Sequence, residues 1–291
     1  MRRLTALGTH LPPTPPSALA GLSAPEPAAA GGLPTASQIE DYCRDGFVVV
    51  SGLVAAPIVA AAVDAMWQQM EGPPKSLEDD PWARDTRSRP RRSDRATWGG
   101  SWAGIVDGPS ICATFTPELL AVAETLANAY EAASPFPSVS HPIAAPPQTL
   151  AINIFPAQDA GAEWKWPDPH TDGGGKHTTP RACRIQHMTY LTSSGEHGGG
   201  GTVAWPGSSR GLESLYVSDA EKYARYEDLS KEVPEVCKAI QPVEVTPQAG
   251  DVRATRAPGA TCNPSLFPFW YACSFSHTLP ATTHRCSSST R

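Results

Sequence analysis

The sequence lacks most of the patterns that assign a function at sight. It has no run of 18 apolar residues, so no membrane-spanning helix is expected. It has no basic excess: 23 Lys and Arg face 29 Asp and Glu, a formal net charge of −6. A general nucleic-acid binder carries the opposite balance, so no nucleic-acid partner is expected. There is no Gly-x-Ser-x-Gly nucleophile elbow, no phosphate-binding glycine loop and no internal repeat. The seven cysteines (Cys43, Cys112, Cys183, Cys237, Cys262, Cys273 and Cys286) are odd in number and form no CxxC pair. That argues against a disulfide framework and a structural zinc site. A reducing compartment follows, with the cytoplasm as the expected location.

Proline and glycine are what the chain has in quantity, 31 and 24 of 291 residues. Such a density disfavours long helical bundles and favours a turn-rich β architecture. Charged residues are sparse at 18%, while 40% hydrophobic residues supply a core. Residues 1–35 are different material, with seven Pro, seven Ala and one acidic residue, Glu26. This stretch has too little apolar surface to offset its ordering entropy and reads as a disordered extension. Its Met1-Arg2-Arg3 start and scarcity of acids give the alternative of an organelle transit peptide.

From residue 36 the pattern is that of one domain, helices first and short strands after. Ser37-Gln38-Ile39-Glu40 reads as a capping box opening a helix to about Arg44, closed by Gly46. Phe47–Val50 is a β-branched strand. Pro57 sits near the start of a second helix reaching about Met70. Residues 72–97 carry Asp79, Asp80, Arg84, Asp85, Arg87, Arg89, Arg91 and Arg92. They suit a solvated loop, or a loop that meets an anionic group. A helix is predicted from Pro117 to about Ala133. Strands are predicted at Thr149–Phe155, at Arg184–Thr192 with Ile185, His187, Thr189 and Leu191 on one face, and at Thr202–Trp205 before a Pro206–Ser209 turn. A polar helix is predicted over Asp219–Ser230, and strand fragments at Val243–Val245 and Asp251–Val252. The order implies an α+β chain with a β-sandwich or jelly-roll core.

The segment with the clearest chemistry is Asp168-Pro169-His170-Thr171-Asp172-Gly173-Gly174-Gly175. On an extended chain, His170 and Asp172 share a face, so an imidazole nitrogen and a carboxylate oxygen can meet one cation. With a second, remote imidazole they make the facial triad of non-haem Fe(II) oxygenases, which leaves three coordination positions open. The same residues also suit an ordinary polar turn. The following glycines are consistent with backbone packed close to a ligand.

In this setting the chain resembles the phytanoyl-CoA dioxygenase family of Fe(II)/2-oxoglutarate oxygenases over roughly residues 38–252. The resemblance rests on the opening QIEDYCRDGFVVVSGLV, the PHTDGG box, the stretch HMTYLTSSGEHGGGGTVAWPGSSRG and the QAGDV turn, in that order. It implies a double-stranded β-helix, a cupin-like jelly roll, with His170 and Asp172 as iron ligands and 2-oxoglutarate as co-substrate. Phe269–Ser276 would be the strand leading to the third ligand, His277, which ends an apolar run. His284, in a Thr/Arg tail, is the competitor. The family also places an arginine on the far carboxylate of 2-oxoglutarate, a task suited to a planar charged fork. Arg285 is the nearest candidate and Arg291 the other. Asn153 matches a position that bonds 2-oxoglutarate in relatives, or is a strand-end Asn bonded to backbone. Gln186, His187 and Thr189 are expected on a strand lining the same pocket, although His187 suits a core histidine better than a ligand.

Residues 253–291 depart from the family pattern. The Pro-, Gly- and Cys-containing stretch 253–268 intervenes where the family runs directly into its His-bearing strand, and an aberrant 3′ end is one reading. Two functions from different classes follow. The first is an Fe(II)/2-oxoglutarate-dependent dioxygenase hydroxylating a small organic substrate. The second is an inactive jelly-roll relative with an incomplete co-substrate site. A hydrolytic zinc site with Glu163 or Glu196 as base ranks last. The sequence sets neither the substrate nor the oligomeric state.

Overall fold

The computed structural model describes residues 32–71, 91–94, 97, 102–103, 108–133, 152–153, 166, 168–171, 185–193, 202–256, 261–262 and 271–275. Residues 1–31 of the expected 1–35 extension, most of the arginine-rich loop, and residues 276–291 lie outside them, whereas 32–35 are described and Thr35 caps the first helix. Helix α1 spans Ala36–Asp45. Its capping box lies two residues earlier than the sequence reading. Thr35 is extended at φ −68° and ψ 163°, its hydroxyl accepts from Gln38 N, and the Gln38 side chain accepts from Thr35 N. A Gln at the third helical position serves as well as Glu, which is why Thr35 wins over Ser37. Gly46 closes the helix in the left-handed region, at φ 84°.

Strand β1 (Phe47–Val50) leads into α2 (Ala56–Glu71), and α3 (Pro109–Cys112) is followed by α4 (Pro117–Ala133), as the sequence predicts for β1, α2 and α4. The remaining strands are β2 (Trp102–Ala103), β3 (Ile152–Asn153), β4 (Ile185–Tyr190), β5 (Val203–Ala204), β6 (Val243–Glu244), β7 (Val252–Arg256), β8 (Thr261–Cys262) and β9 (Tyr271–Phe275). The helical run after β5 differs from the expectation of a polar helix over 219–230. Helix α5 begins at once at Ser208 and ends at Ser218, followed by turns and the short helices α6 (Tyr226–Ser230) and α7 (Val233–Cys237). The Asp219 carboxylate accepts from Lys222 N at 3.0 Å, so the short acid holds a turn at the place where the sequence suggested a helix start. Leu212 is buried against Val203 and Trp205 of the β5 region, and this tertiary packing makes Ser208–Ser218 helical.

Four strands form one antiparallel sheet in the order β1-β7-β4-β9, and three form another in the order β6-β5-β8. Residues directly opposite in the ladder share a face. His187 faces Ala254 and Ser274, Thr189 faces Val252 and Ala272, and Val48 and Val50 face Ala254 and Val252. This face packs on the helices: Val48, Val50, Ile185 and Ala254 join Tyr42 of α1 and Val122, Leu126 and Tyr130 of α4 in one core. Val252 and Leu191 join Val59, Met66 and Trp67 of α2 in another. The other face carries Phe47, Met188 and Tyr190, which pack with Ala204 and Val245 of the second sheet region. Each large aliphatic or aromatic side chain buried in this way contributes about 2 kcal/mol.

The QAGDV segment is a turn held by its own chemistry. Asp251 accepts from Gly52 N and from Gln248 N, both at 2.8 Å. Gly250 has φ 92°, and a Cβ there would lie 2.4 Å from the Val54 carbonyl oxygen. Strand β7 continues without a break through Arg253 to Arg256 and sits in the middle of the four-stranded sheet, every residue of it buried. The expected final strand over 269–276 is present as β9.

Candidate functional site

His170 lies in an extended segment, Asp168–Thr171, and is exposed. Thr171 follows with its hydroxyl buried and no hydrogen-bond partner among the described residues. Asp172, His277, His284, Arg285 and Arg291 lie outside the described residues. Among the described residues, no group of three or more His, Cys, Asp and Glu side chains is gathered to hold a metal. Two of the three expected ligands, Asp172 and His277, lie outside the described residues. The chemistry of the donor set, two imidazoles and a carboxylate, suits a divalent first-row metal.

Asn153 is the second residue of β3, opposite Trp102 of β2. Strand β3 lies beside β9. Asn153 is therefore placed near the strand whose next residues include His277. The antiparallel register sets Phe275 opposite Gln186, so β9 ends near the start of β4.

Thr189 and His187 do not lie on the face between the two sheets. They alternate with Met188 and Tyr190 and fall on the helix side. Thr189 is fully buried there, its hydroxyl without a partner among the described residues. His187 is 1% exposed. Its ring meets Phe115 edge-on at 5.6 Å, and neither nitrogen has a partner among the described residues. Burial in this apolar setting lowers its pKa to about 4, so the imidazole is neutral at pH 7. It is the core histidine that the sequence favoured, although without a backbone hydrogen bond.

The face between the sheets holds a polar cluster that sequence reasoning missed. Tyr190 donates to Thr202 Oγ1 at 2.9 Å, and Thr202 Oγ1 lies 3.6 Å from Met188 Sδ. Burial pushes the Tyr190 phenol up, opposed by the nearby Arg253 charge and by its hydrogen bonds with Thr202 and Arg253. Arg253 belongs to this face and is 1% exposed, its guanidinium 5.7 Å from the Phe47 ring centroid. The only signal in the sequence was the parity of Arg253 within a strand read as stopping at Val252.

On the helix side, Arg256 forms a buried clamp. It donates from Nε to Glu213 Oε1 at 3.1 Å and from Nη2 to Glu213 Oε2. A further donation reaches the Cys43 carbonyl at 3.2 Å, and the guanidinium stacks 4.0 Å from the Tyr130 ring centroid. Tyr130 also donates to Glu213. The clamp ties β7 to α1, α4 and α5. Arg92, from the arginine-rich loop, pairs with Asp64 of α2 at 2.6 Å on the exposed surface. Trp205 is buried, whereas Trp166 is exposed.

No protein-family model matches the chain, and no curated protein matches it either. Solved structures do. The epimerase SnoN in complex with Fe3+, alpha ketoglutarate and nogalamycin RO aligns with a TM-score of 0.51 at 14% identity, over 83% of this chain and 82% of that one. A protein of Salmonella typhimurium LT2 aligns with a TM-score of 0.52 at 12% identity, over 84% of this chain and 70% of that one. The non-heme alpha ketoglutarate dependent carbocyclase SnoK from nogalamycin biosynthesis aligns at 0.49 and 14% identity, over 84% of each chain. The chain has the fold of the first two, mixed helix and sheet.

Proposed function

We propose that this protein is an Fe(II)- and 2-oxoglutarate-dependent oxygenase acting on a small organic molecule, built on a double-stranded β-helix. The observation that carries the reading is the fold shared with SnoN, a protein solved with iron and alpha ketoglutarate. The His170-Thr171-Asp172 segment adds to it, lying ahead of β4 in a chain whose four motifs resemble the phytanoyl-CoA dioxygenase family. His170, Asp172 and His277 are the proposed metal ligands. His277 lies two positions after the end of β9, in which Cys273 is paired with Met188 and Tyr271 with Tyr190.

Iron bound there supplies the activation of dioxygen, coupled to conversion of 2-oxoglutarate to succinate and carbon dioxide and to hydroxylation of the substrate. The chain's own residues do the rest. The imidazole of His170 and the carboxylate of Asp172 would supply one nitrogen and one oxygen to the metal, and a facial set of three protein ligands would leave positions for the co-substrate and dioxygen. Asn153 and Arg285 are proposed to hold 2-oxoglutarate. The apolar inner face of Phe47, Met188, Ala204 and Val245 excludes water.

The experiment is succinate release by the full chain with added Fe(II) and 2-oxoglutarate, alongside metal analysis. Metal-dependent succinate is expected, at least a hundredfold lower in His170→Ala. A chain that binds no Fe(II), or whose succinate release is indifferent to His170→Ala, overturns the reading.

A further inference from the structure

We infer that the helix-facing side of β4 is a binding site for one internal water, held between the imidazole of His187 and the hydroxyl of Thr189. His187 is 1% exposed and Thr189 fully buried. Their polar atoms, Nδ1 and Nε2 of His187 and Oγ1 of Thr189, have no hydrogen-bond partner among the described residues. Buried polar groups are otherwise almost always answered, by protein or by a held water. The two residues alternate with Met188 and share one face of the strand. Same-face neighbours on a strand stand about 7 Å apart, an interval that one water spans with a hydrogen bond of about 2.9 Å to each side chain.

The surroundings leave room and shut out bulk solvent. Ala254 and Ser274 flank His187 across the ladder, and Val252 and Ala272 flank Thr189, so the neighbours on both sides are small. Phe115, between α3 and α4, meets the imidazole edge-on at 5.6 Å and belongs to the core that also holds Met66, Leu191 and Val252.

The chemistry of the three atoms selects the ligand. A neutral imidazole presents one N–H and one lone pair, and a hydroxyl presents both. An anion has no donor for the lone pair, and a metal cation has no acceptor for the N–H. A charged ligand of either sign would also lack a counter-charge. Burial alone lowers the His187 pKa, with no ionised group acting on it, and Arg256 and Glu213 on this side of the sheet are closed on each other. An apolar molecule answers none of the three atoms. Water donates and accepts from one centre. The site needs neither metal nor co-substrate and stands apart from the proposed oxygenase chemistry.

The test uses the full chain carrying isotope-labelled histidine at pH 7. The ring N–H of His187 is identified by its loss in His187→Leu. In the wild type it is expected to show a cross-peak to water, opposite in sign to the diagonal in the rotating frame, which marks a held water rather than proton exchange. Thr189→Val, which keeps the shape and removes the hydroxyl, is expected to lose at least half of that cross-peak and to melt about 2–4 °C lower. Thr189→Ser keeps the hydroxyl and is expected to keep the cross-peak. A wild-type ring signal with no water cross-peak overturns the inference, and so does a ring N–H that exchanges too fast to be seen. A cross-peak undiminished in Thr189→Val or lost in Thr189→Ser also overturns it. So does a Thr189→Val that melts at or above the wild-type temperature, because the hydroxyl it removes then had nothing to bond.

Discussion

Arg253 and Arg256 leave the same central strand in opposite directions. Arg256 enters the helix side and meets Glu213, Tyr130 and the Cys43 carbonyl, so its charge is answered by the protein. Arg253 enters the space between the sheets with two donors unanswered among the described residues. The helix side has orphans as well, His187 and Thr189, but they are neutral. The difference teaches which polar groups a core tolerates. An imidazole can stay uncharged at a cost in pKa, and a hydroxyl costs about 1–3 kcal/mol unpaired. A guanidinium has no neutral form to fall back on. The helix side therefore answers its charge within the protein, whereas the inner face leaves two guanidinium donors without a partner among the described residues.

The largest effect is expected on the finished side. Glu213→Ala strands the Arg256 charge in the core and should cost about 3–5 kcal/mol in urea unfolding. A loss under 1 kcal/mol would mean that the clamp is not what binds β7 to the helices.

The next effect is in acid. His187 has a folded pKa near 4 and an unfolded value of 6.5. Between those values the unfolded chain takes up a proton that the folded chain refuses. The contribution of His187 to stability is intact above pH 6.5 and is lost as pH falls toward 4, about 3 kcal/mol in all. His187→Leu should flatten that part of the stability-versus-pH curve, measured by denaturant melts. An unchanged slope would contradict the burial of the imidazole.

On the inner face, Tyr190→Phe removes the donor to Thr202 and the acceptor for Arg253, and a loss of about 1–2 kcal/mol is expected in thermal melts. The smallest effect is Arg92→Ala, where the exposed pair with Asp64 should change the unfolding free energy by less than about 0.5 kcal/mol.

Local signals made much of the frame legible. The Gly46 stop, the β-branched run Phe47–Val50, the Pro57 start and the Ala/Leu periodicity of Pro117–Ala133 each act within a few residues. The structure has the corresponding elements. The helix at Ser208 was not legible, because Leu212 is helical through burial against Val203 and Trp205, a contact between elements. The candidate site was read only as a spacing, His170 to Asp172. Thr189 was read onto one face with Ile185, His187 and Leu191, and it falls on the helix side, since alternation assigns two sets of residues without saying which set meets helices. The inner Arg253 was hidden for the same reason, at the point where strand propensity faded.

The sequence by itself determined most of the local elements and their order, the absence of a long apolar span and the spacing of an imidazole and a carboxylate two residues apart, because each of these depends on neighbours along the chain. Only the tertiary structure decided which side of β4 and β7 faces the helices, which of two buried arginines is neutralised and where β9 joins the sheet. Those outcomes depend on distant partners, such as Arg256 with Glu213, 43 positions away, and Arg256 with Cys43, 213 positions away, and no local propensity carries that information.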